Sequence, residues 1–427
     1  MIQTAESEHK LPQAQQHGTM LSSYSVLCKS MIGSGIFSMA SACSKFGIVP
    51  GVIALCVAAA ITWLSLHVLS ILALEYRADS PTFYSVSEKL MPRARWVVDV
   101  ALIINCFGAA VAYVITSGYL MSYAIIAMFK LDVATSSLKQ HHIAMIVQAV
   151  MVVSLAPLCM MKEISATRIA NLIGLCFLLY IVIATFFYTN TDAASTESLL
   201  YPSNALLAFG SFPTFIFAFA CQQNVFSVAN ELKDANIKRL GTVCLSSAAT
   251  GFLVYVPMMI FPFMTFGRSV KSNYLYNLDS TDGQVDVPII LAFIFASLSV
   301  SISYVLQVQP VRRSVISLIY GSRQLVGKQE QSARVAVVSC LLMITYGLAV
   351  GIGEDLSIPI NIAGLFGGNT MCFVMPFLLY LKHLRDLSTE GPRRWHRISV
   401  LVVVTLGFCL CLYPICLIGI IHEAANK

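Results

Sequence analysis

Cys28-Lys29-Ser30-Met31-Ile32-Gly33-Ser34-Gly35-Ile36-Phe37 lies inside an apolar stretch that begins near Leu21. Gly33 is about twelve residues into that stretch, about 18 Å along a helix and near the midplane of a bilayer. Two glycines flanking a serine weaken a helix by about 2 kcal/mol. In lipid every backbone polar group needs a partner, so a break at this depth must line a cavity or lie against protein. Amides freed on the outer half-helix can receive a carboxylate. Read alone, the triplet favours the plainer account of close helix packing, because small residues are common where membrane helices meet.

Composition supplies the solvent. Of 427 residues, 57% are hydrophobic and 11% charged, whereas a soluble domain carries about a quarter of its residues as charges. Lipid is the main solvent for this chain. All 13 cysteines sit in or at the edges of apolar runs, and no CxxC pattern occurs, so neither a disulfide framework nor a cysteine metal site is expected. No metal or cofactor is expected at all. The first residues are polar and contain no signal-peptide core. The expected organisation is a short cytosolic tail over 1–20 and one transmembrane domain over 21–427.

A spanning helix needs about 17–25 apolar residues. Eleven such stretches are read, at about 21–42, 47–74, 96–129, 141–161, 168–190, 203–230, 240–267, 287–311, 335–353, 358–381 and 398–421. With the N-terminus in the cytosol, the inner segments carry twenty of the 27 Lys and Arg residues and the outer segments six. Lys29 alone is left within the membrane. Cytoplasmic loops hold the excess of basic residues, so the bias supports both count and orientation, with the C-terminus on the far side. It also accounts for the net charge of +6 without a nucleic acid partner. No loop is long enough for a soluble domain; those near 268–286 and 312–334 are the longest.

A second interruption is Phe217-Ala218-Phe219-Ala220-Cys221-Gln222-Gln223-Asn224-Val225-Phe226-Ser227. Three consecutive amides in an apolar run are costly unless they meet protein, water or a ligand, although amides also bond well between helices. Paired interruptions in the two halves of a chain point to inverted repeats with a site between them.

Three segments resemble one family, the amino acid/auxin permeases, which includes sodium-coupled neutral and proton-coupled amino acid transporters. Ile32-Gly33-Ser34-Gly35-Ile36 resembles the IGSGIL segment of the family's first helix. Phe217 to Leu232 resembles the sixth-helix pattern FAFxCHxxVxPxxxEL, and Pro310-Val311-Arg312-Arg313 the PxR motif closing the eighth helix. Asn361 to Tyr380 is a weaker match to the tenth-helix region with its glycine cluster and late proline. The resemblance implies an all-α, LeuT-like fold of five plus five inverted helices with an eleventh at the end. It also implies a substrate site on the first and sixth helices. Amides of Gly33, Ser34 and Gly35, next to Ile32, would take an amino acid's carboxylate. Carbonyls near Phe217 and Ala220 would take its ammonium, with Gln222 and Asn224 nearby. Gln222 stands where the family often has histidine, which puts a proton relay there in doubt. Ser227 replaces a proline.

The same resemblance places Ser303 where sodium-coupled relatives put a threonine hydroxyl on the ion. Lys29 falls where they have its asparagine partner, and Ser299 is one turn from Ser303. Lysine within a membrane helix costs about 2.5–3.5 kcal/mol on insertion scales. Either Lys29 snorkels to the cytosolic surface, or its ammonium takes the sodium position beside Ser303.

The expectation is a secondary active permease that moves amino acids by alternating access in a lipid bilayer. Neutral amino acids are favoured, because the pocket helices lack a mid-depth carboxylate. The second reading of Lys29 makes the carrier sodium-independent, with a proton as coupling ion. A sodium-coupled symporter and a membrane nutrient receptor with a transporter fold are the alternatives. An enzyme is disfavoured, as no HExxH, GxSxG or phosphate loop occurs. So is a channel, without a filter motif or acidic ring. The sequence does not separate plasma membrane from vacuolar or lysosomal membrane.

Overall fold

The computed structural model describes residues 18–77, 81–131, 139–161, 167–188, 199–202, 204–278, 286–320, 327–388 and 397–425. Of the tail expected over 1–20, only Gly18 to Met20 are among them. The described residues are helical almost throughout. The one extended pairing among them is an isolated bridge between Gly18 and Leu232.

The first apolar stretch is two helices, α1 (Met20–Met31) and α2 (Gly35–Phe46), bent by 52° at the glycine triplet. Thr19 starts α1 by accepting the Ser22 amide at 3.1 Å, which satisfies one of the orphan donors of a first turn. Gly47 ends α2 at φ +78°, and a Cβ there would lie 2.5 Å from the Tyr201 backbone. Only glycine fits that turn. Then come α3 (Ile48–Glu75), the short α4 (Phe83–Leu90), α5 (Arg95–Phe129), α6 (Gln140–Met160) and α7 (Thr167–Tyr188). The sixth stretch is split into α8 (Ala205–Ala218) and α9 (Val225–Glu231). After it follow α10 (Ile237–Phe266), α11 (Val287–Tyr320) and α12 (Lys328–Ile352). The tenth stretch is α13 (Ser357–Ile362), a π-helical section over Ala363–Val374, and α14 (Met375–Ser388); α15 (Arg397–Ala425) closes the chain.

Among the described residues nine helices are long and apolar enough to cross a membrane, and the bent pair α1/α2 makes a tenth if it is one span. Of α7, only Ile173–Tyr188 has described side chains, and that part is apolar but shorter than a bilayer requires. All eleven expected stretches are helical, while nine to ten meet the length and composition of a span.

The long α5 is the central strut, packed on α6, α11, α12 and the π section. Close approach to it rests on missing side chains. A Cβ on Gly367 would lie 2.4 Å from the Asn105 amide, and one on Gly364 would lie 2.1 Å from the Pro213 carbonyl on α8. The glycine cluster of the tenth stretch is thus what seats it against the third and sixth. In contrast α6, α12 and α15 leave Val153, Met343 and Val404 exposed, as befits helices that face lipid.

Residues expected on one side of the membrane meet residues of the same side. At one end Gly18 donates to Glu231 O and accepts from Lys233 N, both at 3.0 Å. Nearby, Arg77 reaches Ala235 O at 3.1 Å. At the other end Lys45 pairs with Glu423 at 2.6 Å and Lys271 with Glu354 at 3.2 Å. Arg268 donates to Ser44 O and Tyr201 O there, both at 2.9 Å.

One expected boundary is corrected. The segment Pro310-Val311-Arg312-Arg313 does not close its helix; α11 runs on to Tyr320, and α12 already begins at Lys328. The expected loop over 312–334 is therefore mostly helix in its described part. Neighbouring groups in membrane helices absorb the carbonyl a proline frees. Arg312 serves a different helix: it donates to Cys159 O and Met161 O at the end of α6, both at 2.9 Å. Gln309 holds its guanidinium at 2.6 Å.

Candidate functional site

Both breaks expected from the sequence are present, and they face each other. The chain leaves helical geometry at Ile32-Gly33-Ser34 and again over Phe219-Ala220-Cys221. A short 3₁₀ turn of Gln222–Asn224 then leads into α9. A Cβ on Gly35 would lie 3.0 Å from Cα and Cβ of Ala218. The start of α2 and the end of α8 therefore touch backbone to backbone. This arrangement opposes the positive end of one half-helix to the negative end of another.

Between the breaks lies a narrow cavity of about 10 Å³, lined by Ser30, Met31, Gly33, Ser34, Gly35, Asn105, Ala109, Tyr113, Phe217, Ala220 and Gln307. That space holds about one water. Of the residues expected at the site, Gly33, Ser34, Gly35, Phe217 and Ala220 form the wall. Ile32, Gln222 and Asn224 do not. Gln222 is fully buried and turns its side-chain oxygen back to the Cys221 amide at 2.9 Å. Asn224 donates to Ser30 at 2.5 Å, which ties α1 to the second break.

Four polar residues were not singled out from the sequence. Tyr255 on α10 places its hydroxyl 2.7 Å from Met31 O and 2.8 Å from Ala218 O. These are the last carbonyls of α1 and α8. Tyr113 on α5 engages Gln307 and the Ser34 backbone, and a Cβ on Gly33 would lie 2.8 Å from its hydroxyl. Gln307 enters from α11. Asn105 on α5 is 3% exposed, and its Oδ1 has no hydrogen-bond partner within the protein. Tyr255, Tyr113 and Asn105 are single polar residues among mostly apolar neighbours, whereas Gln307 lies in a helix already rich in serine and glutamine. For the first three that isolation was the available signal, since buried polar groups in membrane helices are costly and mark functional interiors.

Lys29 does not reach the membrane surface. It is 7% exposed and its Nζ lies 3.5 Å from Ser299 Oγ. Room for it comes from Gly174 on α7, where a Cβ would sit 3.1 Å from Lys29 Cε and Nζ. Ser299 in turn donates to Gly174 O at 3.2 Å. Ser303 donates to Ser299 O at 3.0 Å, one turn further along α11. The structure thus brings Lys29 to Ser299, while Ser303 is bound within its own helix.

Comparison with known proteins places the chain in a family. The family described as transmembrane amino acid transporter protein matches residues 16–419. Vacuolar amino acid transporter 5 of Schizosaccharomyces pombe is 26% identical over 373 residues, covering 86% of this chain and 84% of that protein. Vacuolar amino acid transporter 5 of Saccharomyces cerevisiae is 22% identical, covering 86% and 89%. Sodium-coupled neutral amino acid transporter 7 of Rattus norvegicus is 25% identical, covering 72% and 68%. A cavity between two broken helices, in an all-helical chain matched over almost its whole length, leads to one statement: the chain belongs to the transmembrane amino acid transporter family.

Proposed function

We propose that this chain is a secondary carrier that moves neutral amino acids by alternating access, driven by protons and independent of sodium. The fold proposed for it is the LeuT-like one, two inverted sets of five helices with α15 as an eleventh. The observation that carries the reading is the meeting of the two breaks. The α2 end at Gly33–Gly35 offers a place for a carboxylate, and the α8 end at Phe217–Ala220 offers carbonyls for an ammonium. No charged residue lines the cavity, which suits a neutral side chain. The cavity is smaller than an amino acid, so under this reading helix movement admits the substrate.

The Lys29 ammonium against Ser299 and Gly174 supports independence from sodium, because a fixed cation there repels another. A proton on Lys29 would then do what the metal ion does in sodium-coupled carriers. The excess of basic residues argues for a cytosolic N-terminus. The two yeast relatives are named as vacuolar transporters, which favours a vacuolar membrane over the plasma membrane.

The test is uptake into proteoliposomes with a panel of amino acids, with and without a proton gradient. The expected result is saturable uptake of neutral amino acids, raised by the gradient and unchanged when choline replaces sodium. Loss of uptake in choline would sink the ionic part of the reading. Uptake of arginine but not alanine or glutamine would sink the substrate part. Binding of an amino acid without any flux would point to a receptor.

A further inference from the structure

Among the described residues, two in the cavity wall, Ser34 and Asn105, have side-chain oxygens left without a protein partner, and Asn105 is the one whose oxygen belongs to an amide and can only accept. Its backbone is fixed from behind, since a Cβ on Gly367 would meet its amide nitrogen, Cα and Cβ at 2.4–2.6 Å. Its side chain is 3% exposed. A buried amide oxygen that accepts nothing costs the desolvation of that group, and native proteins keep such atoms for a reason. Helix packing is not the reason here, because the oxygen bonds to no helix.

Its chemistry and surroundings say what it would accept. A Cβ on Gly368 would lie 3.3 Å from Ile216 Cγ2 and 3.4 Å from Asn105 Oδ1. The oxygen and the Ile216 side chain, which belongs to the last turn of α8, thus both lie against Gly368, and an amide oxygen can only accept. A carboxylate would be repelled there and an ammonium attracted. From this geometry we infer that Asn105 is a substrate-binding residue that accepts a hydrogen bond from the α-ammonium of the transported amino acid. This rests on the reading above that the cargo is an amino acid held between the two breaks. It adds the third helix to the site and gives it a neutral acceptor, so the ammonium is recognised without a permanent negative charge in the membrane.

The test uses the full chain in proteoliposomes, with Asn105→Leu and Asn105→Asp and the faster-transported of radiolabelled alanine and glutamine. A hydrogen bond to a charged group supports at least a tenfold rise in KM when it is lost. Asn105→Leu is expected to show that rise while the melting temperature in detergent holds or increases, because an orphan polar atom has been removed. Asn105→Asp keeps an oxygen at the same place and is expected to hold KM at or below the wild-type value. An unchanged KM in Asn105→Leu overturns the inference. So does a fall in melting temperature that accompanies the rise in KM, since that marks a structural role. A tenfold rise in Asn105→Asp as well overturns it by placing the substrate carboxylate there. If the wild-type chain takes up no amino acid, the transport reading itself fails, which is a separate result.

Discussion

The Tyr255 hydroxyl reaches the Met31 carbonyl at 2.7 Å and so pins α10 to the last residue of α1. The same oxygen stands 2.8 Å from the Ala218 carbonyl at the end of α8. A phenol has one proton, so it serves two acceptors by turns. One small group thereby sets the spacing of both breaks. Tyr255→Phe leaves a buried carbonyl without a donor, which costs about 1–3 kcal/mol. The expected outcome is a lower melting temperature in detergent together with reduced uptake. Unchanged values for both would remove Tyr255 from this role.

Gly33 faces the Tyr113 hydroxyl at the distance a Cβ would occupy. Gly33→Val should abolish uptake while the protein still reaches the membrane, and surviving transport would contradict the site. Gly33→Ala should be partly impaired, because its methyl would lie 2.8 Å from Tyr113 Oη but 3.8 Å from Tyr113 Cζ. Adding Tyr113→Phe removes only the colliding oxygen. The double variant should therefore recover packing relative to Gly33→Ala alone, measured as melting temperature, and a double-variant cycle reads the coupling.

Lys29 is an ammonium buried against a serine and a glycine. Under the proposed mechanism Lys29→Met should abolish accumulation driven by an imposed proton gradient and leave exchange of labelled for unlabelled substrate. Thermal stability should rise, since burying a charge in a membrane interior is expensive. Gradient-driven accumulation that persists in Lys29→Met would assign the proton to another group.

At the end of the molecule opposite Gly18, Lys271 pairs with Glu354 at 3.2 Å and lies 3.2 Å from the Tyr123 hydroxyl. Burial lowers the lysine pKa, but Tyr123 and Glu354 outweigh it and leave it raised. A raised lysine pKa gives stability that is complete below the unfolded value, about 10.4. That stability fades only as pH climbs through the higher folded value. Both partners are more than a third exposed (44% and 36%), so the pair is worth about 0–1 kcal/mol. Lys271→Gln should lower the melting temperature slightly, and by the same amount at pH 7 and pH 9. A penalty that vanishes by pH 9 would mean the lysine has already lost its proton there.

How much of this was legible in the sequence follows from what kind of signal each residue leaves. The two breaks were readable because glycine beside glycine, and amide beside amide, are locally anomalous inside an apolar run. Tyr255, Tyr113 and Asn105 were not, because each is a single polar residue with no local anomaly, and Gln307 was hidden among the other polar residues of its helix. Only helix packing between segments distant in the chain, 37 and 224 residues apart for the two contacts of Tyr255, brings them to the breaks. Ser303 and Ser299 show the same limit. They are one turn apart on the same face of α11, so spacing cannot choose between them, and the choice falls to the Gly174 notch on a third helix. Gln222 lies outside the cavity wall for a local reason: its side-chain oxygen accepts the free amide of the neighbouring Cys221. The boundary at Pro310 misled because the rule that proline ends a helix belongs to water, whereas neighbours in a membrane protein can take up the freed carbonyl.

The π-helical section over Ala363–Val374 has a mechanical corollary. A π turn closes its hydrogen bonds over five residues instead of four, so it gathers more chain into each unit of axial length than an α turn does. The tenth stretch therefore holds slack. Rewinding part of it as α-helix would push its ends apart and rotate them, with no residue added and no loop unfolded. Its glycines lie against Asn105 and Pro213, so any such telescoping would be felt at once by the third and sixth stretches.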